Sequence, residues 1–424
     1  MDLVARTHRR ALLRFLLASP LWAAARPVEA LEFLVAELAQ GDDAAFAKPL
    51  VQSAAEGLNV FDFEPVAKQN LSDAHWAFLS QGVHDEFTLR ANREAFNHVQ
   101  LRPRRLVDVR ELDLSTELLG QKLSSPILLA PCGAQKAFHM EAELATARAA
   151  KVKDHLQILS TGSSTRIQDV VKARGEPVWF QLYTPRLMPL TRLQLSEAEE
   201  VGSPAVVVTV DTYPGVQSNR DRVRAFRRAD NPSCQACHAG VSRAERALRS
   251  VSELGNAVGF DVQDALDDLA VLDWEYLDRI RDATDMKLLV KGIQTPEDAR
   301  LCVQHGVDGI VVSNHGGRAE DSGLSTIEVL PGIAEAVGPD FPIVIDSGFR
   351  RGPDLFKGLA LGASAVAVGR PYLWGLSAFG QEGVEAVLAL LREELEVSMK
   401  QMGTPRVADI TREHVQLRPP SARG

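Results

Sequence analysis

With 424 residues, 45% of them hydrophobic and 24% charged, the chain has the composition of an ordinary globular protein and length enough for one large domain or two small ones. Its formal net charge of -9 includes no long run of one sign and no basic stripe, which argues against nucleic acid as a partner. An anionic small substrate stays open, because a local cluster of Arg and Lys matters more than the total.

Residues 1–27 read as a targeting segment. Arg9-Arg10 precedes an apolar stretch from Phe15 to Ala25, and Ala23-Ala24-Ala25 offers a small-residue cleavage site. The expectation is a twin-arginine signal and a periplasmic or otherwise exported protein; an N-terminal helix retained on a cytoplasmic protein is the alternative. Residues 28–60 carry helical spacing at Leu31, Leu34, Val35 and Leu38 and read as a helical lead-in.

The main domain is expected over 61–415, followed by a tail at 416–424. Short apolar, β-branched runs alternate there with amphipathic stretches. The runs are Ile127–Ala130, Gln157–Ser160, Val178–Leu182, Ala205–Val210, Lys287–Val290, Gly309–Val312, Ile343–Ile345 and Ala365–Val368. Their continuous apolar character suits parallel strands covered on both faces. Helical stretches follow most of them, as at Glu141–Lys151, Pro296–His305 and Pro353–Leu361. Eight such units predict an α/β fold, a (β/α)8 TIM barrel. A long polar insertion at 229–272 separates the fourth and fifth strands.

Active sites of such barrels lie where the strands end. Just past the runs stand Pro131-Cys132-Gly133, Ser160, Gln181-Leu182-Tyr183, Thr209-Val210-Asp211, Lys291, Ser313-Asn314-His315, Asp346-Ser347-Gly348 and Gly369-Arg370. The Gly348 and Gly369 loops, with Arg350 and Arg370, offer backbone N–H groups and forked donors for a phosphate. Lys291 would place a positive charge beside an electron-accepting ring or form a Schiff base. His315 could take a proton, Asp211 could orient its ring, and Arg318 could clamp a carboxylate. Taken singly, a histidine of this kind is more often structural; the grouping describes a site for a phosphate-bearing cofactor and a small carboxylate.

Ser313-Asn314-His315-Gly316-Gly317-Arg318 resembles the signature loop of the FMN-dependent 2-hydroxy acid oxidases and dehydrogenases. That family includes glycolate and lactate oxidases, lactate monooxygenase, mandelate dehydrogenase and the flavocytochrome lactate dehydrogenases. Further matches are Ala130 through Lys136, Phe180-Gln181-Leu182-Tyr183, Thr209 through Thr212, Val290-Lys291-Gly292 and Asp346 through Pro371, so the likeness runs from about Phe63 to about Ile410. The resemblance implies that FMN is the cofactor and that His315 accepts the substrate proton while the flavin receives the α-hydrogen. It implies that Asp211 supports the imidazole, that Arg318 and Tyr183 bind substrate, and that Lys291 sits at the flavin N1–C2 edge. Ser160, Gln181, Thr209 and Ser313 would contact the ring or ribityl chain. Asp346, Gly348, Arg350, Gly369 and Arg370 would hold the ribityl and phosphate end, and the main chain of Pro131, Cys132 and Gly133 would lie near flavin N5. A homotetramer is the family expectation, with oxygen, a quinone or a cytochrome as electron acceptor.

Two departures bear on the substrate. Phe78 stands where the family usually has a tyrosine that touches the substrate carboxylate. Tyr213-Pro214-Gly215 replaces a Gly-Arg-Arg-Glu-like stretch, leaving a second arginine absent or displaced to Arg220. Gly133 stands where many oxidases carry alanine, which tilts the expectation toward a dehydrogenase. Cys132 and Cys302 sit singly in apolar runs and read as small buried hydrophobes. Cys234-Gln235-Ala236-Cys237-His238 matches the attachment pattern of haem c, with His238 as iron ligand; a disulfide, a metal half-site and coincidence are the alternatives. The function expected is oxidation of an L-2-hydroxy acid to the 2-oxo acid. A non-redox FMN barrel such as an isomerase, or a non-catalytic ligand-binding barrel, is the competing expectation.

Overall fold

In the computed structural model, which describes residues 49–184, 187–212 and 271–418, the chain divides into two compact units, Met1–Leu50 and Val51–Gly424, and the barrel lies in the second. Helices α1 (Phe63–Asn70), α2 (Asp73–Ser80) and α3 (Phe87–Glu94) come first, followed by strand β1 (Val99–Leu101) and the hairpin β2 (Thr116–Leu118) to β3 (Gln121–Leu123). Strands and helices then alternate: β4 (Ile127–Leu129), α4 (Ala142–Lys153), β5 (Ile158–Ser160), α5 (Ile167–Arg174), β6 (Trp179–Leu182), α6 (Met188–Glu200) and β7 (Ala205–Thr209). After the undescribed stretch come α7 (Trp274–Arg281), β8 (Lys287–Ile293), α8 (Pro296–Gln304), β9 (Gly309–Val312), α9 (Thr326–Val337), β10 (Ile343–Ile345), α10 (Gly352–Ala360) and β11 (Ala365–Val368). The chain ends with α11 (Arg370–Met402), broken at Phe379–Gly380, and β12 (Val415–Leu417).

The eight strands β4 to β11 form one sheet in which every pair is parallel. Its edges meet: Leu129 bridges to Gln157, and its N–H donates to the Leu156 carbonyl at 2.9 Å, which closes the ring. The fold is therefore the (β/α)8 barrel expected. The runs are apolar throughout because both faces are buried. Side chains alternate, so Leu128, Val207, Val311 and Val344 fill the inside while their neighbours Ile127, Val206, Ile310 and Ile343 pack outward under the helices. The β2–β3 hairpin closes the floor, with Leu118 joining the inner cluster and Gln121 accepting the Trp179 indole N–H at 3.1 Å.

Helix ends follow local chemistry. Thr295 caps α8, accepting the Asp298 N–H, and Pro296 occupies the first turn; Asp273 caps α7 in the same way through Tyr276 N.

Three boundaries differ from the sequence reading. Ala54 and Val60 are buried in the same core as Phe63, so the unit begins before residue 61. Gln416 and Leu417, read as tail, pair with Gln100 and Val99, an antiparallel register that makes them part of the fold. Strand β8 runs past Val290 to Ile293, because a bulge at Gly292, with φ of +114°, carries the strand on beyond its buried charged residue, Lys291. Residues 1–48, 185–186, 213–270 and 419–424 lie outside the described residues. The targeting segment, the helical spacing at 31–38, Arg220 and nearly all of the insertion fall there.

Candidate active site

The strand register decides which side chains meet. Ser160 lies two residues beyond inward Ile158, Gln181 beyond Trp179, Thr209 beyond Val207, Lys291 beyond Leu289, Ser313 beyond Val311, Asp346 beyond Val344 and Gly369 beyond Ala367. A two-residue step keeps the same side of a strand, so all seven face the barrel axis at its C-terminal end. Polar residues are tolerated there because they satisfy one another. Gly162 N–H donates to Ser160 Oγ at 3.1 Å, Ser160 Oγ to Gln181 Oε1 at 2.8 Å, and Gln181 Nε2 to Thr209 Oγ1 at 2.8 Å.

Lys291 is almost fully buried, at 4% exposure. Its Nζ donates to Ser313 Oγ at 2.9 Å and lies 3.7 Å from Asp211 Oδ2 and 3.6 Å from Asp346 Oδ2. Burial opposes its charge, but the Asp346 and Asp211 carboxylates outweigh that and hold the ammonium above the ordinary lysine range. The same pairing acts on Asp211: burial works against it, yet Lys291 and then His315 bring its pKa down to about 2.

His315 follows β9 on a loop of unusual backbone. His315, Gly316 and Gly317 have φ of +58°, +69° and +72°, three left-handed residues in succession. The imidazole is fixed from both sides. Nδ1–H donates to Asp211 Oδ1 at 2.8 Å, and Tyr183 OH meets Nε2 at 3.2 Å. Burial lowers the His315 pKa against the pull of Asp211, and Lys291 and Arg318 lower it further. The ring is therefore neutral near pH 7, with Nδ1 protonated and Nε2 offering a lone pair. Tyr183 stays protonated, its pKa pushed up to about 12 by burial. Arg318 donates through Nη1 to the Phe78 carbonyl and stacks 4.8 Å above the Phe78 ring, which itself stacks on Phe138 with ring centres 5.8 Å apart. Phe78 thus touches the arginine that the sequence reading assigned to the substrate carboxylate.

At the opposite end Arg350 is buried and stacks on Trp374 at 4.9 Å. Burial first, and then the neighbouring Arg370 and Arg93, bring its pKa down to about 9 against the pull of Glu64 and Asp354. Arg370 sends Nε to the Leu79 carbonyl at 2.9 Å, Nη1 to Gly316 at 2.9 Å and Nη2 to Gln81 at 3.2 Å, so it also braces the His315 loop. Gly348, with φ of +89°, leaves no space for a side chain: a Cβ there would stand 2.0 Å from the Asn92 carbonyl oxygen. Gly369 faces Cys132, whose Sγ would be 3.3 Å from such an atom. Cys302 is fully buried as expected, whereas Cys132 is only partly covered and belongs to the site wall.

That wall, Pro131 to Gln135, is held by residues the sequence reading did not single out. Gln135 Nε2 donates to the Cys132 carbonyl at 3.0 Å and Gln135 Oε1 accepts from Thr146 at 2.6 Å. Tyr372 OH donates to the Ala130 carbonyl at 3.0 Å. Glu143, fully buried, accepts from Gln135 N, Ser164 N, Ser164 Oγ and Thr165 Oγ1 at 2.7 to 3.1 Å, joining the loops after β4 and β5. The available signal was a carboxylate on the alanine-rich face of a helix. Cys234, Cys237 and His238 lie outside the described residues.

A profile of the FMN-dependent dehydrogenases matches residues 67–417. A peroxisomal (S)-2-hydroxyacid oxidase of Arabidopsis thaliana is 38% identical over 359 residues, which span 85% of this chain and 96% of that one. Among solved structures, a lactate oxidase of Pediococcus acidilactici superposes with a TM-score of 0.75 at 34% identity, covering 86% of this chain and 96% of its own. A soluble mutant of the membrane-associated (S)-mandelate dehydrogenase of Pseudomonas putida gives 0.73 at 34% identity, over 85% and 99%. The barrel, its ring of inward polar strand ends and these likenesses make the chain an FMN-dependent oxidoreductase of the 2-hydroxy acid oxidase and dehydrogenase family.

Proposed function

We propose that the chain oxidises an L-2-hydroxy acid to the 2-oxo acid, with His315 as the base. The observation that carries this is the line Asp211–His315–Tyr183, which leaves a neutral imidazole nitrogen pointing away from its carboxylate partner and towards a phenol. The residues suit FMN at both ends. Arg350, with Arg370 and Arg93 around it, calls for an anion such as the phosphate. Lys291 puts a cation at the other end, and Ser160, Gln181 and Thr209 offer a polar row between them.

FMN, when bound, supplies a two-electron acceptor for the α-hydrogen. Arg318 binds the substrate carboxylate from its seat on Phe78. Tyr183 donates to a substrate oxygen, and His315 Nε2 receives the hydroxyl proton. Asp211, ionised at any working pH, keeps Nδ1–H directed at itself and stabilises the imidazolium. The handedness is supported by the (S)-2-hydroxyacid oxidase likeness. Electrons leave to oxygen, a quinone or a cytochrome; a haem on Cys234 and Cys237 would serve a cytochrome route.

Anaerobic mixing with a panel of L- and D-2-hydroxy acids tests the reading. Bleaching of the flavin by an L-acid, lost in His315→Ala, is the expected result. A flavin that no hydroxy acid bleaches would leave the reading without support and favour a non-redox barrel.

A further inference from the structure

Of the three left-handed residues His315, Gly316 and Gly317, the glycines adopt that conformation freely, but His315 needs support, since a non-glycine residue in that region costs about 1–2 kcal/mol. Within the barrel Ser347 Oγ and Arg370 bond to Gly316, and further support comes from outside the barrel. Asn92 on α3 and Asn314 exchange two hydrogen bonds: Asn92 Nδ2 to Asn314 Oδ1 at 2.9 Å, and Asn314 Nδ2 to Asn92 Oδ1 at 2.8 Å. Both residues are buried, at 2% and 0% exposure. The backbone fixes which way each amide faces. Gly317 N–H donates to Asn314 Oδ1 at 3.1 Å, Asn314 Nδ2 donates to the Leu324 carbonyl at 3.2 Å, and Thr326 N–H donates to Asn92 Oδ1 at 3.4 Å. Flipping either amide would set like groups against each other.

The same turn of α3 touches the phosphate-end loop. The Asn92 carbonyl lies against Gly348, and Arg93 donates to the Gly348 carbonyl and to Asp354 at 2.7 Å. One short helix therefore sets two loops, one with the base and one with the anion-binding backbone.

We propose that Asn92 is a positioning residue for His315, acting through its reciprocal amide pair with Asn314. This rests on the reading of His315 as base. Because proton transfer requires alignment, loosening the loop lowers the rate without emptying the cofactor site.

The experiment compares wild type, Asn92→Ala and Asn92→Asp as FMN-loaded full chains. It follows flavin bleaching at saturating L-hydroxy acid, FMN retention, melting temperature and the titration of His315 by 15N NMR, assigned with His315→Ala. For Asn92→Ala the proposal expects retained FMN, a rate reduced by roughly 10- to 100-fold, and a displaced His315 titration. In Asn92→Asp the ionised carboxyl faces Asn314 Oδ1, whereas the protonated form again donates and accepts like an amide. Its rate should rise as pH falls through the titration of the introduced carboxyl, opposite to wild type, which slows as His315 is protonated. A wild-type rate and His315 titration in Asn92→Ala would overturn the proposal, as would a loss that only tracks FMN release or a lower melting temperature. If no hydroxy acid bleaches the wild-type flavin, the functional reading fails, and the His315 titration alone still decides the role of Asn92.

Discussion

Gly133 and Gly162 press together across the loops after β4 and β5: a Cβ on Gly133 would stand 2.7 Å from the Gly162 carbonyl oxygen, which already accepts the Ala134 N–H at 2.7 Å. Gly162 itself has room, with nothing nearer than Ser160 Oγ at 3.5 Å from its own added Cβ. Gly133→Ala is expected to destabilise by about 1–3 kcal/mol through overpacking and to shift the flavin spectrum as the wall moves. Gly162→Ala should stay within about 0.5 kcal/mol of wild type. Urea unfolding of the two variants checks this, and equal stabilities would show the contact to be slack.

The base predicts a pH profile. Because burial lowers the His315 pKa, the rate of flavin bleaching should hold through neutral pH and fall on the acid side, below the ordinary histidine value of 6.5. Asp211→Asn removes the group that pulls this pKa up, so the acid limb should move lower while the rate drops on the order of 100- to 10,000-fold. The ion pairs of Asp211 also stabilise the fold at pH values above the usual aspartate range. That contribution should disappear as pH falls through about 2. Stopped-flow rates across pH, with melting curves, test both statements.

Phe78 seats Arg318 through its ring and its carbonyl. Phe78→Ala keeps the carbonyl but removes the stack, worth about 0.5–1 kcal/mol at a partly exposed site and more where desolvated. KM for the hydroxy acid should rise about three- to tenfold, with kcat changed less. Phe78→Tyr preserves the ring and should leave KM no higher than wild type. Steady-state kinetics with any reactive acid decides, and a KM unchanged in Phe78→Ala would remove Phe78 from substrate binding.

Glu143→Ala leaves the Gln135 and Ser164 N–H groups buried without their acceptor. A loss of about 3 kcal/mol or more is expected, with early release of FMN on heating. A loss below about 0.5 kcal/mol in urea would show that water replaces the carboxylate there.

The strands were legible because a run apolar on every residue has few explanations other than a strand buried on both faces; Gly309–Val312, Ile343–Ile345 and Ala365–Val368 match the sequence reading residue for residue. The polar strand ends were legible for the same reason, each interrupting such a run at Ser160, Gln181, Lys291 or Asp346. What escaped was held by partners remote in sequence. Nothing around Asn92 marks it, since its partner Asn314 is 222 positions away. Glu143 escaped because the hydroxyls that donate to it, those of Ser164 and Thr165, come from the loop after the next strand. Arg370 read simply as a phosphate ligand, because its acceptors at Leu79 and Gln81 come from a segment with no strand rhythm.

The two-residue beat that turns Ser160, Gln181, Thr209, Lys291, Ser313 and Asp346 inward also limits how this chain can change length. Adding or deleting one residue within a strand would rotate its polar end under the helices and bring an apolar neighbour into the centre. Growth is harmless only after the last inward residue of a strand and before the first of the next. The longest stretch separating successive barrel strands obeys this rule, opening after Thr209 and ending before Lys287. Transplanting a foreign loop into that stretch beyond Asp211, the partner of His315, and ahead of α7 should therefore leave the arrangement of reacting groups intact, whereas a one-residue slip in any of the six strands carrying them should dismantle it.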